Sequence, residues 1–360
     1  MITRQIQILL ITVSFFSAVS FMLGAEGIPV PVSDPHIQYE GRMGESPDGA
    51  KEIYWPGSSV RIKFKGAGIS AVLSDQHGLN SYNILLDEDS IRCIRLDSSR
   101  KNYVLATHLP PGEHTVELFR RNGWPSGITR FYGFEINGGG WVCDLPEKKK
   151  HIEFYGNSIT VGSGMYPEKS AYGHEDNYES YAAVTARHFQ ADYRCIARSG
   201  IGLMVSWFPM IMTDMYNRKN PYDSTTRWNF SAWKPGIVVI NLLQNDCALF
   251  NEPRHPEFIH RFGRKRPSAD FVIRSYAGFI QEIRVEYPDA HIICVLGNMD
   301  ASRQGSPWPL YIAAAAASLK DSKVYTHIFP YKNTPDHPNA AEHLEMARSL
   351  IYFIEEHIEW

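Results

Sequence analysis

The feature that most restricts how this chain can fold is a change of period near residue 145. Upstream of it, apolar residues recur at every second position. Val60, Ile62 and Phe64 alternate with Arg61 and Lys63, and Ile69, Ala71 and Leu73 repeat the pattern, as do Tyr82, Ile84 and Leu86. Val116 and Leu118 flank Glu117, and a further run covers 131–136. A period of two places one set of side chains on one face of a pleated strand. Turn residues separate the runs at Pro56-Gly57, His77-Gly78, Pro110-Pro111-Gly112 and Gly123. Short strands divided in this way predict an all-β, jelly-roll-like sandwich over 26–145.

Downstream the rhythm becomes strand, helix, strand. A glycine triplet at 138–140 and a lysine triplet at 148–150, read as a solvated linker, bracket the change. A strand is expected over 152–155, and a helix over 179–190 with Tyr181, Val184, Thr185, His188 and Phe189 on one face. Further strands follow around 194–197, 237–242 and 292–296; the second is apolar throughout, as in a strand buried on both faces. Helical spacing returns over 272–287, and a last helix turns Leu344, Ala347, Leu350, Ile351, Ile354 and Ile358 inward. This alternation predicts a parallel sheet with helices on both faces, a three-layer α/β/α domain over 146–360.

Bulk properties narrow the partners. Lys and Arg number 36 against 39 Asp and Glu, a net charge of −3, so nothing draws the chain to nucleic acid or an anionic membrane. Residues 1–25 read as a signal peptide: Arg4 precedes an apolar run over 8–23, and Gly24 and Ala25 follow as small residues. The run is short for a membrane span, with no basic cluster after it. The expected location is secreted or periplasmic. Five scattered cysteines, Cys93, Cys143, Cys195, Cys247 and Cys294, suggest no disulfide framework, and all five are read as structural.

In an open parallel sheet, ligands gather at the carboxyl ends of the strands. Four segments fall in or near that zone: Gly156-Asn157-Ser158-Ile159-Thr160, Ser199-Gly200-Ile201-Gly202, Asn245-Asp246, and Asp336-His337-Pro338 before the last helix. Each alone has an ordinary explanation, as a turn, a cap or a helix start with proline at its first position. Their joint occurrence, in this order and each beside a strand end or helix start, points to chemistry.

The set resembles the SGNH (GDSL-like) hydrolase superfamily, whose blocks are GDS, a glycine, GxND and a late DxxH. The stretch 154–162 is similar to the GDSIT form, and the resemblance covers about 150–360. Upstream, Gly41-Arg42, Tyr54-Trp55-Pro56-Gly57-Ser58, Leu86-Asp87 and the 111–118 segment resemble the sandwich of carbohydrate esterase family 2. The resemblance implies a serine esterase removing O-acetyl groups from a xylan- or glucomannan-type polysaccharide. Ser158 would be the nucleophile and His337 its base. The backbone N–H groups of Ser158 and Gly200 and the Asn245 amide would form the oxyanion hole. No cofactor is expected, and no metal, since no HExxH or comparable histidine pairing occurs. The other readings are an SGNH lipase or thioesterase acting on another acyl ester, and a catalytically impaired glycan-binding protein.

Three positions depart from the pattern. Asn157 stands for the GDS aspartate and Leu243 for the GxND glycine. The acid of DxxH has no counterpart at Thr334 or Pro335, which leaves Asp336 as the tentative third member. Being adjacent to His337 in an extended segment, Asp336 is expected to point away, so that a backbone carbonyl or an acid from elsewhere orients the base. Two further expectations concern the surroundings. The basic stretch 253–267 is read as a solvated loop or an overhang of the site, and Trp228, Trp233 and Trp308 as sugar platforms or core.

Overall fold

A computed structural model of the chain describes residues 27–166 and 175–360; the leader read at 1–25 lies outside the described residues. The period-two segments form two six-stranded antiparallel sheets. One runs Met43–Glu45, Lys51–Ile53, Thr129–Asn137, Gly68–Asp75, Lys101–Thr107, with Ile28–Pro31 also on Thr129–Asn137. The other runs Trp141–Cys143, Ser59–Lys65, Glu113–Arg120, Ser81–Leu86, Ser90–Arg95, with Gln38–Glu40 also on Ser59–Lys65. The alternating sets meet between the sheets: Val60, Ile62 and Phe64 from one, Ile69, Ala71 and Leu73 from the other, all fully buried. Ser90–Arg95 is an edge strand exposed at almost every position, so no burial period marks it in the sequence.

The second half builds a five-stranded parallel sheet in the order Ala191–Ala197, Lys150–Gly156, Ile237–Asn241, His291–Leu296, Val324–Ile328. Helices Ala269–Glu286 and Trp308–Ser318 cover one face, and Tyr181–His188 and Ala340–His357 the other. Trp308–Ser318 and the edge strand Val324–Ile328 have no sequence signature: one is an alanine run and the other is half-buried throughout.

Two helix faces differ from expectation. In Tyr181–His188 the buried residues are Tyr181, Ala182, Ala183, Thr185 and Ala186, while His188 is exposed and Val184 half-buried. The small alanines let this helix lie close to the sheet, so the apolar bulk that suggested the other face is not what decides. In the last helix Leu344 is exposed, and the inward face is His343, Met346, Ala347, Leu350 and Ile354. That set keeps the i, i+3, i+4, i+7 spacing of a single stripe.

The two halves share their cores. Tyr54, Trp55 and Trp124 of the sandwich join the cluster on one face of the parallel sheet, and Leu85 and Phe119 join that on the other. Arg42, completely buried, crosses from the sandwich to meet Glu153 on a central strand: Nη2 lies 2.8 Å from Glu153 Oε1 and 3.0 Å from the Tyr155 hydroxyl. Its Nη1 donates to the Arg218 carbonyl at 3.1 Å. Trp55 Nε1 donates to the Lys219 carbonyl at 2.9 Å.

Candidate active site

With this strand order the chain reverses direction of travel between Lys150–Gly156 and Ile237–Asn241, and the carboxyl ends of such a pair are where open parallel sheets bind their ligands. Gly156 and Asn241 face each other there in register. Ser158 opens the short helix Ser158–Val161 directly after Gly156. Asn157 caps that helix, its Oδ1 accepting from the Ile159 N–H at 3.1 Å. Asn157 thus does the capping work of the motif's aspartate, although its buried Nδ2 finds no partner among the described residues. Below the loop, Thr160 Oγ1 and Tyr181 OH lie 3.0 Å apart, Asn241 Nδ2 donates to that hydroxyl at 3.0 Å, and Gly297 N–H donates to Asn241 Oδ1 at 2.9 Å. This buried chain fastens the nucleophile loop to the middle of the sheet.

His337 Nε2 stands 2.7 Å from Ser158 Oγ. For Nε2 to accept the hydroxyl proton, the ring must carry its own proton on Nδ1. Burial pushes the pKa of His337 below that of an ordinary histidine; the charge of Asp336 opposes this, Lys332 adds to it, and Glu175 opposes it. The imidazole is therefore neutral at neutral pH, as a general base must be. Gly164 lies against the ring: a Cβ on it would fall 2.6 Å from His337 Cβ, so no larger residue fits without moving the base.

Asp336 sits differently from the extended geometry expected of it. It takes a left-handed backbone with φ 58°, which a short polar side chain tolerates better than most. Its side chain is exposed, and no hydrogen bond joins it to His337. It acts on the base through charge alone. Among the described residues no carboxylate or carbonyl hydrogen-bonds to Nδ1, so Ser158 and His337 stand as a pair.

The other expected oxyanion donors sit on two other loops. Gly200 occupies the turn after Ala191–Ala197 at φ 83°, a left-handed conformation that suits glycine. Asn245 lies in the first turn of Gln244–Phe250. Its amide is held from both ends: Trp207 Nε1 donates to Oδ1 at 3.0 Å, and Nδ2 donates to the Ile201 carbonyl at 2.7 Å. An indole N–H can only donate, which fixes the orientation of the amide and leaves one of its N–H bonds uncommitted. The Ser158 N–H, at the first position of its helix, has no intrahelical acceptor. Leu243 explains the glycine of the usual motif, because it takes a left-handed φ of 81°. Holding leucine there costs about 1 kcal/mol, and its fully buried side chain offsets that cost.

Two residues around the site have places that the sequence reading did not assign: Asp246, named there only within the Asn245-Asp246 segment, and Trp207. Asp246, fully buried, accepts the N–H groups of Leu203, Met204 and Val205 at 2.9, 2.7 and 3.1 Å. Burial raises its pKa while the three N–H bonds act to lower it. It thereby braces the loop that follows Gly200; an acid in an apolar stretch with no basic neighbour was the available clue. Trp207 is 45% exposed beside Asn245, to which its indole N–H donates. The three tryptophans considered as platforms are elsewhere engaged. Trp233 and Trp308 are buried, and Trp228 is half-buried against the guanidinium groups of Arg42 and Arg194. The 253–267 stretch is partly a helix, Pro256–Phe262, rather than a solvated loop. It leans on the Trp207 loop, with His255 edge-on to Trp207 at 5.1 Å and Arg261 Nη2 donating to the Pro209 carbonyl at 2.6 Å.

Other candidates for chemistry have structural roles. His343 is fully buried, stacked on Tyr181 and accepting the Tyr181 N–H through Nδ1; burial pushes its pKa down to about 3. Among the described residues no group of three His, Cys, Asp or Glu side chains could hold a metal ion. Burial pushes the Cys195 and Cys294 thiols up to about 12 and Cys247 up to about 11, far from a nucleophile's range. Cys93 departs from the structural reading, being exposed on the edge strand.

Residues 39–146 match the family model described as Carbohydrate esterase 2 N-terminal. Over 354 residues, 93% of this chain, the sequence is 31% identical to the Cellulase/esterase CelE of Acetivibrio thermocellus, of which it spans 41%. It is 24% identical to an Acetylxylan esterase / glucomannan deacetylase of Cellvibrio japonicus, covering 98% of each chain. Among solved structures it is similar to a family two carbohydrate esterase from Clostridium thermocellum in complex with cellohexaose. That match has a TM-score of 0.77 and 30% identity, over 89% of this chain and 98% of the other.

Proposed function

This chain belongs to carbohydrate esterase family 2, and from that premise we propose that it is a carboxylic ester hydrolase removing O-acetyl groups from a xylan- or glucomannan-type polysaccharide. The observation that carries the reading is the 2.7 Å contact between His337 Nε2 and Ser158 Oγ beyond the carboxyl end of the Lys150–Gly156 strand. Ser158 Oγ attacks the acetyl carbonyl carbon while His337 Nε2 takes its proton. The oxyanion that forms is met by the N–H groups of Ser158 and Gly200 and by the free N–H of Asn245. Collapse expels the sugar oxygen, which receives the proton from His337, and leaves an acetyl group on Ser158. Water, deprotonated by the same imidazole, then attacks the acyl-serine; acetate leaves and the serine is restored.

The carbohydrate part of the reading is supported by the names of the relatives and by Trp207, whose exposed ring beside Asn245 offers a face against which a pyranose can stack. The export of the protein is likewise part of the proposal, motivated by the apolar run at 8–23. Acetate release from acetylated glucomannan and acetylated xylan, compared with hydrolysis of long-chain esters, tests it. Turnover on the acetylated glycans is expected. Cleavage of long-chain esters only would assign the site to lipids, and glycan binding without acetate release would make it a binding module.

A further inference from the structure

With no acid bonded to His337 among the described residues, another charged group near the base gains importance. Glu175 lies outside the four segments that make the site in sequence, yet it touches one of them in space. It pairs with Ser163 in an isolated antiparallel bridge, five residues beyond the nucleophile. Its Oε1 lies 3.1 Å from Ser163 Oγ and 3.1 Å from Ser199 Oγ, and these two hydroxyls are 2.6 Å from each other. Its Oε2 accepts the Gly123 N–H of the sandwich at 2.8 Å. Ser163 N–H in turn donates to the Ser158 carbonyl at 2.9 Å. Gly164, next to Ser163, lies against His337, and Gly200, next to Ser199, is an expected oxyanion donor.

One carboxylate therefore ties together the nucleophile loop, the oxyanion loop and the edge of the sandwich. We propose that Glu175 is a positioning residue for catalysis, which keeps Gly200 and Ser158 in register and favours, by its negative charge, the imidazolium that His337 becomes in the transition state. This rests on the esterase reading given above. The charge acts through space, since no hydrogen bond joins Glu175 to the ring. It fills part of the role of a triad acid, which stabilises the protonated base. It also keeps the oxyanion loop in place, where small displacements are costly.

Among the described residues the groups that act on His337 are few. Asp336 and Lys332 belong to its own loop, Glu175 comes from the bridge with Ser163, and His343 comes from the last helix, where burial keeps it neutral. Replacing Glu175 by glutamine removes one of the two negative charges among them. The protonated ring is then less favoured, so the pKa of His337 falls and the acidic limb of kcat/KM moves to lower pH.

The test is Glu175→Gln, assayed on a small acetyl ester across pH, together with an NMR titration of the His337 imidazole. The expected result is a kcat lower by about 10- to 100-fold with KM little changed, and an acidic limb and imidazole pKa both shifted downward. An unchanged kcat overturns the proposal, and so does a lower kcat with limb and imidazole unmoved, which would make Glu175 merely structural. The titration needs no turnover, so it separates failure of this role from failure of the esterase reading, which would show as a wild-type protein inert toward acetyl esters. Should Glu175→Gln not fold, Ser199→Ala carries the test: it breaks one tie and keeps the charge. A kcat lower by about 3- to 10-fold with the limb in place is then expected; an unaltered kcat overturns the proposal.

Discussion

The nucleophile and its base are held in opposite ways. Ser158 opens a capped helix turn whose neighbours Ile159, Thr160 and Val161 are fully buried, and the Thr160–Tyr181–Asn241–Gly297 chain anchors it to two central strands. His337 sits on the irregular segment between Val324–Ile328 and the last helix, where 333–336 are exposed. There Lys332 Nζ bonds to the local Thr334 and Pro335 carbonyls and the Thr334 hydroxyl. The comparison teaches that the sheet supplies precision on one side alone. Among the described residues the imidazole is set by what it lies against, Gly164 and Ser158, rather than by a partner on its far nitrogen.

The contrast can be broken most directly at the rigid side. Ser158→Ala should lower kcat on an acetyl ester by about 10⁶-fold, as loss of the serine does in a serine protease. It should also abolish covalent labelling by a serine-directed phosphonate while the circular dichroism spectrum stays native. Labelling at full stoichiometry in that variant would place the nucleophile elsewhere. Asn245→Ala comes next. Loss of one oxyanion donor should reduce kcat by about 10²–10³-fold with little change in KM, measured by initial rates. A raised KM at constant kcat would instead make Asn245 a contact to the ground-state substrate.

The loosely held side should answer more weakly. Because Asp336 touches His337 through charge only, Asp336→Asn should keep kcat within about fivefold of wild type, against the roughly 10⁴-fold loss that follows removal of a true triad acid. The same change should move the acidic limb of kcat/KM downward, since the carboxylate is one of the groups raising the pKa of His337. Smallest is the effect expected of pH on the unmodified enzyme. Burial lowers the His337 pKa, so the neutral base persists to lower pH than an ordinary histidine allows, and the half-maximal point of kcat/KM should lie below pH 6.5, histidine's ordinary value. A half-maximal point above pH 6.5 would contradict the environment described here.

What the sequence disclosed follows the same division. Ser158 was legible because a strand running into Gly156-Asn157-Ser158 is a local pattern, and Asn245 because it follows an apolar strand at short range. The sandwich was legible because each buried strand carries its own period, whereas the edge strands Ser90–Arg95 and Val324–Ile328 carry none. The conformation of Asp336 was not legible: a left-handed residue between two prolines depends on how the segment docks, not on its composition. Glu175 and Trp207 were missed for a related reason. Their partners Gly123 and Asn245 lie 52 and 38 positions away, and no spacing rule links them. Asn157 and Leu243 looked like damage to a motif, yet each fills the backbone role of the residue it replaces.

The buried contact of Arg42 with Glu153 bears on how such a chain can change over evolutionary time. The sequence seam near residue 145 invites the view that sandwich and hydrolase are interchangeable modules, to be shuffled like beads. Glu153 argues otherwise. It stands at 0% exposure on a central strand, and its positive partner arrives from more than a hundred residues upstream. A hydrolase half that acquired a foreign sandwich without that arginine would carry an unpaired carboxylate in its core, at a cost of about 3–5 kcal/mol, comparable to the whole stability of a marginal domain. Inheritance of the two halves is thus coupled: a substitution at Arg42 is tolerable only in lineages where Glu153 changes with it, and the pair should travel together or vanish together.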